Sequence, residues 1–96
     1  MPVRETRKAY AARCAKEANH ILRPVAAKAS SAGVAYTLEH AIAASPWEAI
    51  LAAAKLYRCD LIVMASHGRS GVSALLLGSE TNKVLTHTRI PVTVVR

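Results

Sequence analysis

Aromatic and acidic side chains are scarce in this sequence of 96 residues. It has no phenylalanine, one tryptophan and three tyrosines, and six acidic residues stand against thirteen lysines and arginines, for a net charge of +7. The lack of large aromatics predicts a core of alanine and aliphatic side chains, with helices packed closely on a sheet. The excess of positive charge would attract polyanions. Helical spacing places most of the amino-terminal basic residues on a solvated face, so nucleic acid is not expected as a partner.

Long apolar runs are also absent. No stretch approaches the roughly 18 residues that a membrane span needs, and the first eight residues are too polar for a secretory signal. We therefore expect a cytoplasmic protein that does not enter the membrane.

Cysteine and histidine are too few and too dispersed for the common metal and redox motifs. Cys14 and Cys59 lie far apart without a CxxC pattern, which predicts two thiols rather than a disulfide or a zinc site. His20, His40 and His87 lack metal-ligand spacing. Neither a Gly-Lys-Ser/Thr phosphate loop nor the dinucleotide fingerprint occurs, which argues against kinase-like NTP chemistry.

The most informative segment runs from Leu61 to Ser79. The apolar run Leu61 to Ala65 predicts a strand covered on both faces, which implies a parallel sheet. Glycines follow at 68, 71 and 78, where the backbone can turn sharply and approach a ligand. Ser79 is predicted as the cap of a helix whose first free amides, on Glu80 and Thr81, would attract an anion.

The rest of the chain alternates helices and strands. We predict a first helix over residues 3 to 31, kinked or broken near 19 to 23 by Pro24 and packing through one apolar face. A strand is predicted over 34 to 40, and a second helix from Ser45-Pro46 to about residue 58, with Ser45 and Glu48 forming a capping box. A helix from Ser79 to about His87 and a last strand from Pro91 to Val95 complete one predicted domain over residues 1 to 96. The face expected to pack in the first helix comprises Tyr10, Cys14, Ala18, Ile21, Leu22, Val25 and Ala29.

These patterns together resemble the carboxy-terminal portion of the universal stress protein family. Nucleotide-binding members carry a glycine, two residues, a second glycine, nine residues and then Gly-Ser or Gly-Thr. Here Ala65, Gly68 and Gly78-Ser79 occupy that spacing, with alanine in place of the first glycine. The runs Asn82 to Leu85 and Ile90 to Val95 extend the resemblance.

The resemblance implies an α/β fold, namely a truncated adenine-nucleotide-alpha-hydrolase-like (Rossmann-like) three-layer fold with a short parallel sheet. It also implies a stress-response regulator that binds the phosphates of ATP or AMP, with Mg²⁺ arriving only with ATP, no catalytic residue and at most slow hydrolysis. The implied binding residues are Met64, Ala65, His67, Gly68, Arg69, Gly78, Ser79, Glu80 and Thr81.

Compared with the family, this chain has no counterpart of the first strand, helix and second strand. Most of the adenine and ribose contacts of family members come from that segment. The alternative is therefore an oligomeric interaction module of the same fold that binds no nucleotide. In either case we expect a homodimer or higher oligomer, partly through Pro91 to Val95, because unpaired strand edges invite pairing.

Overall fold

A computed structural model describes residues 5–66 and 78–95. They contain three helices and two strands in the order α1 (Arg7–Ser31), α2 (Pro46–Leu56), β1 (Ile62–Ala65), α3 (Ser79–His87) and β2 (Val92–Val95). The chain divides into two units, Met1–Ile42 and Ala43–Arg96. The predicted order of elements is confirmed except for the strand over 34 to 40.

The first unit contains α1. Thr6 caps the helix, since its hydroxyl accepts a hydrogen bond from the Ala9 amide at 3.0 Å. The helix starts four residues later than predicted and runs without a break through Pro24. Proline removes only one intrahelical bond, whereas a break would sacrifice several in an alanine-rich segment with high helix propensity. The predicted break is therefore wrong, whereas the alternative, a kink, stays a prediction.

The predicted packing face of α1 is the less exposed side of the helix, with Cys14, Ala18, Leu22 and Ala29 half-buried, but it is not buried. None of its residues is buried, and Tyr10, Ile21 and Val25 are 43%, 41% and 55% exposed. Periodic spacing creates an apolar stripe, but burial needs a partner surface that the stripe itself does not specify.

Two titratable groups of α1 are perturbed. The hydrogen bond and charge of Glu5, whose carboxylate lies 3.1 Å from the guanidinium, raise the pKa of Arg13. The pKa of Tyr10 is raised mainly by its hydrogen bond with the Cys14 thiol, and by the charge of that group. Arg13 also lies over the Tyr10 ring, 5.1 Å from its centre.

Residues 34 to 40 form neither helix nor strand, which corrects the predicted edge strand. Val34, Tyr36 and Leu38 alternate as a strand requires, yet they are 56%, 48% and 39% exposed. A strand is defined by its ladder to a neighbour, and among the described residues the one ladder joins β1 to β2. Alternation alone does not supply that neighbour.

The helices α1 and α2 end in the same backbone motif. After α1, the amides of Gly33 and Val34 donate to the carbonyls of Ser30 and Ala29 at 3.1 and 2.9 Å, and Gly33 has a φ of 70°. This is a Schellman motif, in which a left-handed residue just past the helix satisfies the last carbonyls. The prediction that residues 30 to 33 end α1 is confirmed.

After α2 the left-handed position of that motif is occupied by Arg58, with a φ of 53°. The amides of Arg58 and Cys59 donate to the carbonyls of Lys55 and Ala54 at 3.2 and 2.8 Å. Every L-residue with a side chain is strained in this conformation. The same motif therefore contains glycine in one unit and a strained arginine in the other.

The start of α2 at Pro46 is as predicted, but the capping box is not formed. Ser45 makes no side-chain cap hydrogen bond, although its carbonyl accepts from the Glu48 amide at 3.1 Å. The serine hydroxyl therefore does not stabilise the helix as the pattern suggested.

The sheet of the second unit consists of β1 and β2, which pair in parallel with Ile62 opposite Val92 and Ala65 opposite Val95. Ile62 is buried, whereas Val63, on the other face, is 60% exposed. The expectation that this strand is covered on both faces is thus wrong, because the uniform apolar run marks a strand without showing how many layers cover it.

Few of the described residues of the second unit are buried. Val84 of α3 is fully buried, Ile62 of β1 is nearly so, and Ser66 and Thr81 are 7% and 5% exposed. Helices α2 and α3 pack against each other, and the rings of Trp47 and His87 stack with centres 4.4 Å apart. This packing fixes α3 beside the end of β1, where the predicted site lies.

Candidate functional site

The candidate site lies where β1 ends and α3 begins. The predicted residues His67, Gly68 and Arg69 lie outside the described residues. Met64, Ala65, Gly78, Ser79, Glu80 and Thr81 are described and belong to the two elements that meet here. The carboxyl end of a parallel strand beside a helix amino terminus is the usual place for a ligand in an open α/β sheet.

Two hydrogen bonds fasten α3 to the end of β1. The buried hydroxyl of Thr81 donates to the Ala65 carbonyl at 2.8 Å, and the Gly78 amide donates to the Ser66 carbonyl. The Ser66 amide in turn donates to the Val95 carbonyl at 2.7 Å, which extends the ladder by one residue. The amino terminus of α3 is therefore held at the end of β1, and Ser66 connects this point to β2.

The helix α3 is capped by Gly78, which corrects the assignment of Ser79 as cap. Gly78 has extended backbone angles, and its carbonyl accepts the first helical bond from the Asn82 amide at 3.0 Å. Ser79 is the first residue of the helix, is exposed and makes no cap hydrogen bond. Glycine is also favoured at helix N-caps, and the backbone geometry shows that Gly78, not Ser79, occupies that position.

Three backbone amides of α3 have no acceptor in the described part of the chain. The amides of Ser79, Glu80 and Thr81 precede the first intrahelical bond, and within residues 5–66 and 78–95 no group accepts from them. Together with the partial positive charge of the helix end, they form a surface suited to an oxyanion. The Gly78 amide does not contribute, because it already donates a hydrogen bond to the Ser66 carbonyl.

The backbone at Ala65 decides whether alanine fits in place of the family's glycine. Ala65 lies in β1 with extended backbone, and Arg58 is the one non-glycine residue with positive φ in the described part of the chain. Alanine is therefore accommodated without strain at this position. Met64, beside it, is half-buried and pairs with Val94 across the sheet.

An acidic side chain competes with any anion at this site. Glu80 lies in the first turn of α3, where its charge is favoured by the helix dipole. Within residues 5–66 and 78–95, its buried Oε2 atom has no hydrogen-bond partner and lies 4.0 Å from the Nζ atom of Lys83. A bound phosphate would meet both the free amides and this carboxylate.

Sequence reasoning missed the structural role of two of these residues. It named Thr81 for its amide, whereas the hydroxyl of Thr81 joins α3 to β1, and it did not single out Ser66 as a buried partner of Gly78. The one available signal was that Thr81 and Val84 lie three residues apart, on the same helical face as the core.

The described residues contain no cluster of three or more histidine, cysteine, aspartate or glutamate side chains that could hold a metal ion. Cys14 and Cys59 are free thiols, the first half-buried and the second exposed. No described helix is both long and apolar enough to cross a bilayer.

Comparisons with known proteins identify the family of the chain. The profile of the Universal stress protein family matches residues 2–96. The chain is 47% identical over 51 residues to the "Universal stress protein in QAH/OAS sulfhydrylase 3'region" of Thermus aquaticus, a match that covers 53% of this chain and 37% of that relative. It is 53% identical over 37 residues to universal stress proteins of Mycobacterium bovis and Mycobacterium tuberculosis, covering 38% of this chain and 12% of each.

The chain thus spans little more than a third of the Thermus relative and about an eighth of the mycobacterial ones. The match to the family profile, in contrast, extends over nearly every residue. On that match the chain belongs to the universal stress protein family, and its fold is the α/β fold of the nucleotide-alpha-hydrolase type, with three helices and a short parallel sheet described.

Proposed function

We propose that this chain acts in a cytoplasmic stress response by binding the phosphate groups of ATP or AMP at the start of α3. The observation that carries the proposal is the set of free amides on Ser79, Glu80 and Thr81, held beside β1 by the Thr81–Ala65 hydrogen bond. Amides fixed in this way lose little freedom on binding, which favours recognition of a phosphate by backbone alone.

The proposed site binds rather than catalyses. Its described residues include no nucleophile paired with a base: the Thr81 hydroxyl is committed to the Ala65 carbonyl, and Ser79 has no side-chain partner. Any hydrolysis of ATP would therefore be slow, with Mg²⁺ entering only as a companion of ATP. A regulator that responds to the nucleotide it holds fits this chemistry better than an enzyme does.

Calorimetry on nucleotide-free protein tests the proposal with ATP, AMP and adenosine as ligands. If the amides bind phosphate, ATP and AMP release heat and adenosine binds much more weakly. Absence of heat with both nucleotides, and no adenine carried over from expression, would overturn it.

A matched pair of variants locates the binding. Glu80→Gln removes the carboxylate beside the free amides, and we expect it to strengthen ATP binding about two- to fivefold, the equivalent of about 0.4–1 kcal/mol. Glu17→Gln makes the same change on α1, in the other unit, and should leave the affinity unchanged. Equal effects of the two variants would show that only the net charge matters.

A second candidate function is an oligomeric interaction module that binds no nucleotide. It is favoured by the exposed sheet: Val63 and Val95 are 60% and 46% exposed, and in the described part of the chain β1 and β2 have only each other as neighbours. A second copy could extend the sheet along Pro91 to Val95, as expected for exposed edges.

Light scattering over a range of concentrations tests the module. The expected result is a dimer or larger assembly that Val95→Lys weakens and Val25→Lys, at a comparably exposed position of α1, does not. A monomer at all concentrations would contradict the module and the predicted use of the last strand.

A further inference from the structure

A second concave site lies in the unit 43–96, away from the start of α3. It is a cleft of about 500 Å³ between the carboxyl half of α2 and the turn from α3 to β2. Cys59 and Ile90, which line it, lie just before β1 and β2, so the cleft opens at the edge where the parallel strands begin. We call it the amino-edge cleft; its lining residues are Leu51, Ala54, Lys55, Arg58, Cys59, His87, Thr88, Arg89 and Ile90.

The lining of the amino-edge cleft combines an apolar floor with a cationic rim. Leu51, Ala54 and Ile90 are half-buried, whereas the three cations Lys55, Arg58 and Arg89 are exposed. No lining residue is acidic. The ion pairs found among residues 5–66 and 78–95 are Arg13 with Glu5 and Lys83 with Glu80, so the rim cations have no acidic partner there.

The negative ends of two helices do not cancel this charge. The last carbonyls of α2 accept hydrogen bonds from the amides of Tyr57, Arg58 and Cys59, and the Val84 carbonyl of α3 accepts one from Thr88. Each helix end amounts to roughly half a negative charge, and the field weakens within the last turn. Three full positive charges therefore leave the cleft positive.

The position of Arg58 is defined by the backbone. It occupies the left-handed position of the Schellman motif. Two hydrogen bonds hold that conformation, one donated by its own amide and one by the amide of Cys59. A strained arginine where glycine would be relaxed, at the edge of a cationic cleft, is consistent with a role for its side chain.

We propose that the amino-edge cleft binds a small organic anion, with an apolar body on Leu51, Ala54 and Ile90 and a carboxylate or phosphate at the rim. The volume falls in the range of small-ligand pockets, which combine an apolar lining with a few charged groups. An inorganic anion would leave the floor uncovered, and a neutral apolar molecule would leave the cations unused. Arginine pairs especially well with both types of anionic group.

Isothermal titration with naphthalene derivatives tests separately whether the ligand needs an apolar body and whether it needs an anionic group. 1-Naphthyl phosphate and 1-naphthoate, which have both parts, should bind about tenfold or more tightly than inorganic phosphate or 1-naphthalenemethanol. Similar binding of the neutral alcohol would show that only apolar contact matters, and similar binding of inorganic phosphate that only charge does; either result overturns the proposal. Unequal binding of the phosphate and the carboxylate identifies the preferred group.

Variants place the ligand in the cleft. Arg58→Gln with Arg89→Gln should weaken 1-naphthyl phosphate binding about tenfold or more, while Arg23→Gln on α1 should not. Arg58→Gly removes the charge of Arg58 alone and also relieves the backbone strain, so it keeps the test valid if the double variant fails to fold. Unchanged affinity in folded variants would overturn the proposal.

Alkylation of the two free thiols gives an independent readout. Bound 1-naphthyl phosphate should slow the reaction of Cys59 with iodoacetamide and leave Cys14, in the other unit, unaffected. Binding at the start of α3 instead would respond to Glu80→Gln and leave Cys59 unprotected. That result would overturn the cleft and support the nucleotide site, so the two proposals fail separately.

Discussion

Replacing Arg58 by glycine should stabilise the protein, although it removes a large side chain. Arg58 has a φ of 53° at the end of α2, a conformation in which every side chain with a Cβ is strained. No ion pair of Arg58 is found within residues 5–66 and 78–95 that the substitution would break. The two backbone hydrogen bonds of the motif involve no side chain and are retained.

The expected change in the free energy of unfolding is the difference between two opposing contributions. Relief of the left-handed conformation contributes about 1–2 kcal/mol. The additional freedom of glycine in the unfolded chain takes back about 0.4–1 kcal/mol. The middle of each range leaves a net gain of about 0.8 kcal/mol, which would raise the midpoint of thermal unfolding by about 3–6 °C in a chain of this length.

The chain contains its own reciprocal control at Gly33. This residue occupies the same position after α1 with a φ of 70°, and a Cβ built there meets no atom within 4 Å. Gly33→Ala should therefore destabilise by a similar amount, about 0.5–1 kcal/mol, through the backbone alone.

Urea unfolding followed by circular dichroism and by Trp47 fluorescence measures these changes, the second signal arising within α2. Arg58→Ala keeps the strain while removing the charge and should show no comparable gain. If Arg58→Gly destabilised the protein, or if Arg58→Ala stabilised it equally, the reasoning from backbone strain would be refuted.

Three further predictions concern contacts described above. Thr81→Val removes the donor to the Ala65 carbonyl and should cost about 1–3 kcal/mol in urea unfolding, while Thr81→Ser retains most of the stability; equal losses would deny the bond a role. Val84→Ala removes two fully buried methyl groups and should cost about 2 kcal/mol, with a smaller loss contradicting its place in the core. Cys14→Ala should lower the pKa of Tyr10 toward its ordinary value in an ultraviolet titration, and an unchanged curve would exclude the thiol as the cause.

Local signals predicted the elements well where the chain itself settles the backbone. Pro46 at the first helical position, Gly33 past the end of α1 and the polar run after Gly78 correctly placed helix ends. These residues act within one turn, so their effect does not depend on what packs nearby. The parallel pairing expected from the apolar run Leu61 to Ala65 is also observed.

The errors concern properties that depend on distant partners. The alternation of Val34, Tyr36 and Leu38 indicated a strand, but no ladder forms, and the stripe along α1 indicated a buried face that is not buried. In the same way, Val63 belongs to a strand that was expected to be covered on both faces. An apolar pattern indicates that burying a surface would be favourable, but it does not indicate which other surface covers it.

The candidate site was predicted only in part, because some of its contacts also depend on distant partners. The free amides at the start of α3 follow from the position of the helix end, which the sequence indicated. The hydrogen bond from Thr81 to Ala65 and the occupation of the Gly78 amide by Ser66 require two segments to meet in space. No spacing along the chain encodes those contacts, and the amino-edge cleft was not foreseen either.

The stack of Trp47 on His87 provides an intrinsic fluorescence probe. Because the chain has a single tryptophan, its emission comes from one indole, and that ring lies 4.4 Å from an imidazole of the neighbouring helix. Since His87 also lines the amino-edge cleft, a ligand that moved the imidazole would change the fluorescence intensity of Trp47. Titrations can therefore be read at one wavelength without attaching a dye.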